Sequence, residues 1–122
     1  AETSSNFSYS YMEVRNKQVG SSIYLNNLIR EVSSKEGILI KEGKIYTSDV
    51  FYKTTNVENK KAYLSLGLEM ESFALFLVAK SLRKQATSIL TVSDTLKGDS
   101  LTFKEREKGF DKAIKLALEA IK

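Results

Sequence analysis

Residues 67–94 read GLEMESFALFLVAKSLRKQATSILTVSD, and the architecture depends on how this run divides. Residues 69–83 place apolar side chains around most of a helical circumference, which predicts a buried helix with Glu69 and Glu71 at its entrance. Residues 87–92 are rich in β-branched side chains, as a central strand would be, and stop on Ser93-Asp94. Downstream, residues 93–101 form a loop containing Gly98. Thr102-x-x-Glu105 is a capping box that opens a last helix with the stripe Phe110, Ile114, Ala117, Leu118 and Ile121. Upstream, residues 57–66 predict a short helix stopped by Gly67, and residues 53–56 a polar loop. Residues 45–52 alternate as a strand, with Ile45, Thr47, Asp49 and Phe51 on one face. Residues 21–35 predict a helix with the stripe Leu25, Leu28, Ile29 and Val32, ended at Gly37. Residues 1–20 are polar and weakly patterned. Strands alternate with helices, so the fold class is α/β. Ligands in such sheets sit at the C-terminal ends of strands, and Ser93-Asp94 lies at such an end.

The totals bound the chemistry. A length of 122 residues fits one domain. The net charge is +4, but 19 basic residues are interspersed with 15 acidic ones, which describes a mixed, solvated surface with at most a weak preference for anions. There is no Cys, hence no disulfide framework and no thiolate metal site, and no His, hence no Ser-His triad. Acid–base work falls to Asp, Glu, Lys or Tyr. The longest apolar run is seven residues, 73–79, too short for a membrane helix. With no lipidation motif or signal peptide, the expected location is the cytoplasm. Gly-rich phosphate loops and metal-ligand clusters are missing from the pattern, so no cofactor is expected.

The residues at the two junctions each carry two readings. Asp94 either caps the turn after it or, desolvated beside an apolar strand, has a raised pKa and serves as a general acid. Glu69 and Glu71 either answer the dipole of the helix they precede or accept hydrogen bonds from vicinal sugar hydroxyls. Met70 is a soft wall against a ring, or core. Arg106 opposes the dipole of its helix, and either pairs locally with Glu105 or reaches a carboxylate across the loop. Phe51 is core, or a surface for a base.

Gly67-Leu68-Glu69-Met70-Glu71-Ser72, Thr91-Val92-Ser93-Asp94-Thr95-Leu96, Glu105-Arg106 and Phe110 with Ile114-Lys115-Leu116-Ala117-Leu118-Glu119 occur in a known order. Together they resemble the C-terminal half of the hexameric bacterial-type purine nucleoside phosphorylases. Residues 43–52 are similar to that family's strand leading to the base pocket. The likeness is good over residues 36–122 and loose before them. It implies the C-terminal portion of a nucleoside-phosphorylase-type α/β/α fold with a mixed central sheet. It further implies phosphorolysis of purine (deoxy)ribonucleosides to free base and (deoxy)ribose 1-phosphate. The position of Asp94 is that of the acid that protonates purine N7, and Arg106 that of its assistant. Glu71 matches the holder of the ribose hydroxyls. Glu69 and Met70 match residues lining the same site, Ser93 flanks the acid, and Phe51 packs against the base. The related uridine phosphorylases do not keep the acid, whereas nucleosidase relatives that use water carry a similar Ser-Asp.

Members of that family are much longer, and their N-terminal half carries the phosphate-binding groups. The expectation is therefore a single partial domain, residues 1–122, with the base and ribose side of the site and without the phosphate side. Its partners would be a purine nucleoside, inorganic phosphate as co-substrate, and a missing N-terminal half or partner chain. The resemblance also implies a homo-oligomer, a hexamer built as a trimer of dimers, with no role for nucleic acid or membrane. The isolated chain is expected to be inactive. The alternatives are a non-catalytic truncated paralogue that binds nucleoside or serves in assembly, and a related nucleosidase.

Overall fold

The computed structural model describes residues 2–3, 18–48, 64–95, 98 and 100–122, with the backbone alone for residues 2–3. The expected site residue Phe51, the second half of the strand 45–52 and most of the helix 57–66 lie outside the described residues. The chain divides into two compact units: Ala1–Ser22 with Lys41–Thr87, and Ile23–Ile40 with Ser88–Lys122.

The first unit holds a three-stranded sheet in the order β1 (Glu2–Thr3), β2 (Ile45–Thr47), β3 (Gly67–Glu69). Both pairings are parallel, with Ile45 opposite Gly67, Tyr46 opposite Leu68 and Thr47 opposite Glu69. The amide of Leu66 donates to the Lys44 carbonyl and that of Ser48 to the Glu69 carbonyl, so the pairing runs past both ends of β3. The expected mixed sheet is therefore parallel throughout its described strands. Tyr46, Thr47 and Ser48 are all buried. Neighbouring residues point to opposite faces, so this central parallel strand is covered on both sides.

β3 departs from the sequence expectation. The sequence places Gly67 as a helix stop and Glu69 as a helix start, whereas Gly67, Leu68 and Glu69 are strand, and Leu64–Leu66 before them are turn. Gly and Glu have low strand propensity, and pairing with β2 overrides it. The helix begins later, as α2 (Ser72–Ser81). Its Phe73 and Phe76 pack with Val19 as the core of this unit, flanked by Leu77 and Ala86. Leu75 and Val78 are 48% and 44% exposed, so α2 is buried along one side rather than all round. It ends early because Arg83 turns left-handed, φ 53°. The Arg83 and Lys84 amides then donate to the Lys80 and Ala79 carbonyls, which closes a Schellman motif.

The second unit pairs α1 (Ile23–Glu36) with α3 (Phe103–Ala120). Gly37 takes φ 64° and ends α1, as its position in the sequence predicts, with the Ile38 amide donating to the Ser33 carbonyl. The capping box is present: Thr102 Oγ1 accepts from the Glu105 amide, and the Glu105 carboxylate accepts from the Thr102 amide. Lys115 forms an ion pair with Glu36, tying the two helices together and lowering the Glu36 pKa. The expected stripe of α3 is not its buried side. Leu116 and Ala120 are buried, whereas Phe110, Ile114 and Leu118 are 53–55% exposed and Ile121 73%.

Residues 87–92 are not a strand. A β-branched run favours extended backbone, but a strand also needs a ladder, and this run joins none of the sheet's described strands. It leads into a loop closed by an isolated antiparallel bridge between Asp94 and Ser100, with Gly98 at φ 91°.

Candidate active site

The expected site residues fall in two groups, one in each unit. In the first unit the strand β3 delivers Glu69 directly to the start of α2. One carboxylate oxygen of Glu69 accepts from the amides of Glu71, at 2.8 Å, and Ser72, at 2.6 Å. Its other oxygen accepts from the hydroxyl of Thr47 on β2. Thr47 Oγ1 accepts in turn from the Phe73 amide at 3.0 Å. Helix N-termini carry amides with no partner inside the helix, and a carboxylate there satisfies them and meets the positive end of the dipole. Glu69 is thus spent on the backbone. Glu71 is the helix N-cap but makes no capping bond with its side chain. It is exposed, and its carboxylate accepts a local contact from the Met70 amide at 3.2 Å. Met70 stands between them, 36% exposed.

Two acids that look equivalent in the sequence therefore differ in kind. Glu69 organises the turn, and Glu71 has the oxygens available for two vicinal hydroxyls. The signal for this division is Thr47, which the sequence pattern marks only as one face of a strand.

In the second unit Ser93 Oγ donates to Asp94 Oδ2 at 2.7 Å, and Arg106 Nη2 donates to Asp94 Oδ1 at 3.2 Å. Arg106 Nε also donates to the Leu101 carbonyl at 3.2 Å, which aims the guanidinium back over the loop. The Leu101 amide donates to the Ser93 carbonyl, so the loop 94–100 is closed at its neck. Of the two readings of Arg106, the reach across the loop is the observed one, and Glu105 is occupied by Thr102 instead.

The expected raised pKa of Asp94 is corrected. Hydrogen bonds from Ser93, then from Ser100, and the nearby Arg106 charge hold its carboxyl below the ordinary carboxylate range, outweighing desolvation. The expectation rested on an apolar strand burying the group, and the group sits instead in an exposed loop. Asp94 and Arg106 side chains are 55% and 40% exposed, so the pair adds little to stability and its value is geometric.

Gly109, mid-helix on α3, carries no signal in the sequence pattern. A Cβ there would stand 2.5 Å from Thr91 Cγ2. The bare Cα lets α3 lie against the segment that carries Ser93 and Asp94. Gly109→Ala gains helix propensity of about 1 kcal/mol but overpacks at a cost of about 1–3 kcal/mol. The expected result is a lower urea midpoint for Gly109→Ala, restored when Thr91→Ser removes the opposing methyl. A Gly109→Ala variant more stable than the parent would show that no close approach exists.

Among the described residues there is no cluster of metal-ligating side chains, and no helix is long and apolar enough to cross a membrane.

Residues 14–122 match the profile of the phosphorylase superfamily. The chain is 35% identical to the DeoD-type purine nucleoside phosphorylase of Geobacillus kaustophilus over 122 residues, covering 98% of the chain and 52% of that protein. It is 43% identical to the DeoD-type enzyme of Limosilactobacillus reuteri (strain DSM 20016) over 90 residues, or 72% of the chain and 38% of that protein. The chain thus spans about half the length, or less, of these curated relatives. Among solved structures, the 5'-methylthioadenosine/S-adenosyl homocysteine nucleosidase of Campylobacter jejuni superposes with a TM-score of 0.62 at 20% identity, over 89% of this chain and 50% of that one. That likeness bears on the fold, which is of the nucleoside phosphorylase and nucleosidase α/β type.

Proposed function

The chain belongs to the phosphorylase superfamily, and from that footing we propose that it supplies the base and ribose side of a purine nucleoside phosphorylase. The reaction is phosphorolysis. A phosphate oxygen bonds to the sugar C1′, the bond from C1′ to purine N9 breaks with its electrons going to the base, and Asp94 gives a proton to N7. The products are free purine and (deoxy)ribose 1-phosphate. Glu71 holds the ribose hydroxyls beside Met70, and Phe51 lies against the base. Inorganic phosphate is the co-substrate and no cofactor is needed.

The observation that supports this reading best is the Ser93–Asp94–Arg106 cluster. Its resting state is a carboxylate, which must be loaded before it can donate. A purine whose N7 faces Asp94 favours loading, because two facing acceptors repel whereas an acid and N7 share one hydrogen bond. Arg106 keeps the carboxylate aimed between turnovers and stabilises it after the proton has left.

This reading treats the chain as one partial domain working with the remainder of a phosphorylase fold, in a cytoplasmic homo-oligomer. The test is an inosine assay on the chain alone and on the chain co-produced with the part of the Geobacillus kaustophilus relative that it does not match. The chain alone should release no hypoxanthine. The pair should release hypoxanthine only with phosphate, together with ribose 1-phosphate. Release without phosphate would make it a nucleosidase. Inosine binding by calorimetry without turnover would make it a non-catalytic paralogue.

A further inference from the structure

Successive amides at the head of α2 end on two side chains. Those of Glu71 and Ser72 donate to Glu69, and that of Phe73 donates to Thr47. The Thr47 hydroxyl donates to the Glu69 carboxylate across the β2–β3 ladder, which joins the two acceptors. All of these residues lie in the first unit. The backbone of Glu71 is therefore held at both ends: its amide by Glu69 at 2.8 Å, and its carbonyl by the Leu75 amide at 3.0 Å. That fixes the direction in which the Glu71 side chain leaves the backbone. Its carboxylate accepts from the Met70 amide, its neighbour in sequence, and makes no capping bond.

Thr47 is fully buried and touches no ligand, so any influence it has on one passes through Glu69 and the turn. Its β-branched side chain is stiff at χ1, which keeps the hydroxyl between the Glu69 carboxylate and the Phe73 amide. Glu69 is longer and freer. Without the Thr47 donor its carboxylate would rest on the amides of Glu71 and Ser72 alone. A carboxylate that must hold two vicinal hydroxyls binds them more tightly when its direction is set beforehand, because the cost of ordering it is then not subtracted from binding.

We infer that Thr47 is a positioning residue for the nucleoside sugar: through Glu69 it sets the direction of Glu71, and so how strongly the 2′- and 3′-hydroxyls are selected. This rests on the reading of Glu71 as the holder of the ribose hydroxyls.

The experiment compares the binding of inosine with that of 2′,3′-dideoxyinosine, which lacks both hydroxyls. Each is titrated by calorimetry, without phosphate, into the full chain co-produced with the unmatched part of the Geobacillus kaustophilus relative. The parent should prefer inosine by at least about 10-fold, the worth of one hydrogen bond to a charged group. Glu71→Ala should bring that ratio close to one. Thr47→Val should lower it by at least about threefold through weaker inosine binding alone, as the cost of ordering Glu71 returns. Thr47→Ser keeps the hydroxyl and should keep the ratio. In the Glu71→Ala background, Thr47→Val should change neither affinity, because the two residues act on one contact. A residue that only stabilises the fold would weaken both ligands together, and in either background. Variants are titrated once circular dichroism shows the helix content of the parent. Should Thr47→Val not fold, Glu69→Gln, which weakens the charge-assisted bonds at constant volume, should move the ratio in the same direction. The inference alone is overturned if Glu71→Ala abolishes the ratio while Thr47→Val or its replacement leaves it as in the parent or weakens both ligands alike. If Glu71→Ala leaves the ratio unchanged, or the parent binds no inosine, the reading of Glu71 fails and this inference falls with it.

Discussion

On the proposed reading, Asp94→Asn in the assembled protein is expected to lower turnover on inosine by about 10²–10⁴-fold, the range for losing a positioned general acid. The amide keeps the shape of the side chain and its bonds to Ser93, but it has no acidic proton to give to N7. A sharper result comes from a purine nucleoside methylated at N7. Its base already carries a positive charge on the imidazole ring and leaves neutral, so it needs no proton. Turnover on that substrate should change little in Asp94→Asn. Equal losses on both substrates would mean that Asp94 positions the base or the loop and is not the proton donor. Undiminished turnover on inosine would remove it from the chemistry.

Thr47→Val is the second large effect, and it is on stability. Thr47 is fully buried, and its hydroxyl both donates to Glu69 and accepts from the Phe73 amide. Valine has the same shape and neither function. A buried amide left without a partner costs about 1–3 kcal/mol, and a carboxylate losing a donor adds to that. Thr47→Ser keeps the hydroxyl and gives up one methyl, about 1 kcal/mol. Urea unfolding should therefore rank the parent above Thr47→Ser and Thr47→Ser above Thr47→Val. Glu69→Ala should cost a similar amount to Thr47→Val, and the double variant less than their sum, because both act on one network. If Thr47→Val is as stable as Thr47→Ser, the hydroxyl network contributes nothing.

These two sites show what the sequence made legible and what it did not. The capping box at Thr102 and the glycine stop at Gly37 depend on a few neighbouring residues, so local pattern is enough to find them. The α/β class and the family follow from motifs in register. Three things were not legible, each for a non-local reason. β3 exists because β2 lies beside it, against the propensity of Gly67 and Glu69. Residues 87–92 have strand composition but no place in the described sheet. The α3 stripe is apolar as the sequence indicates, but apolarity does not say which side is covered, and here Leu116 and Ala120 are the buried positions. At the site, the partnership of Asp94 and Arg106 was among the readings, whereas the separate duties of Glu69 and Glu71 required the side chain of Thr47 to be seen.

The Thr47 hydroxyl also orders events in time. A helix start is normally capped by residues adjacent in the chain. Here the amides at the head of α2 are answered by Glu69, and Glu69 is held by a residue on another strand, far back in the chain. α2 therefore lacks its full cap until β2 and β3 have paired, and its nucleation is tied to a slow, non-local step.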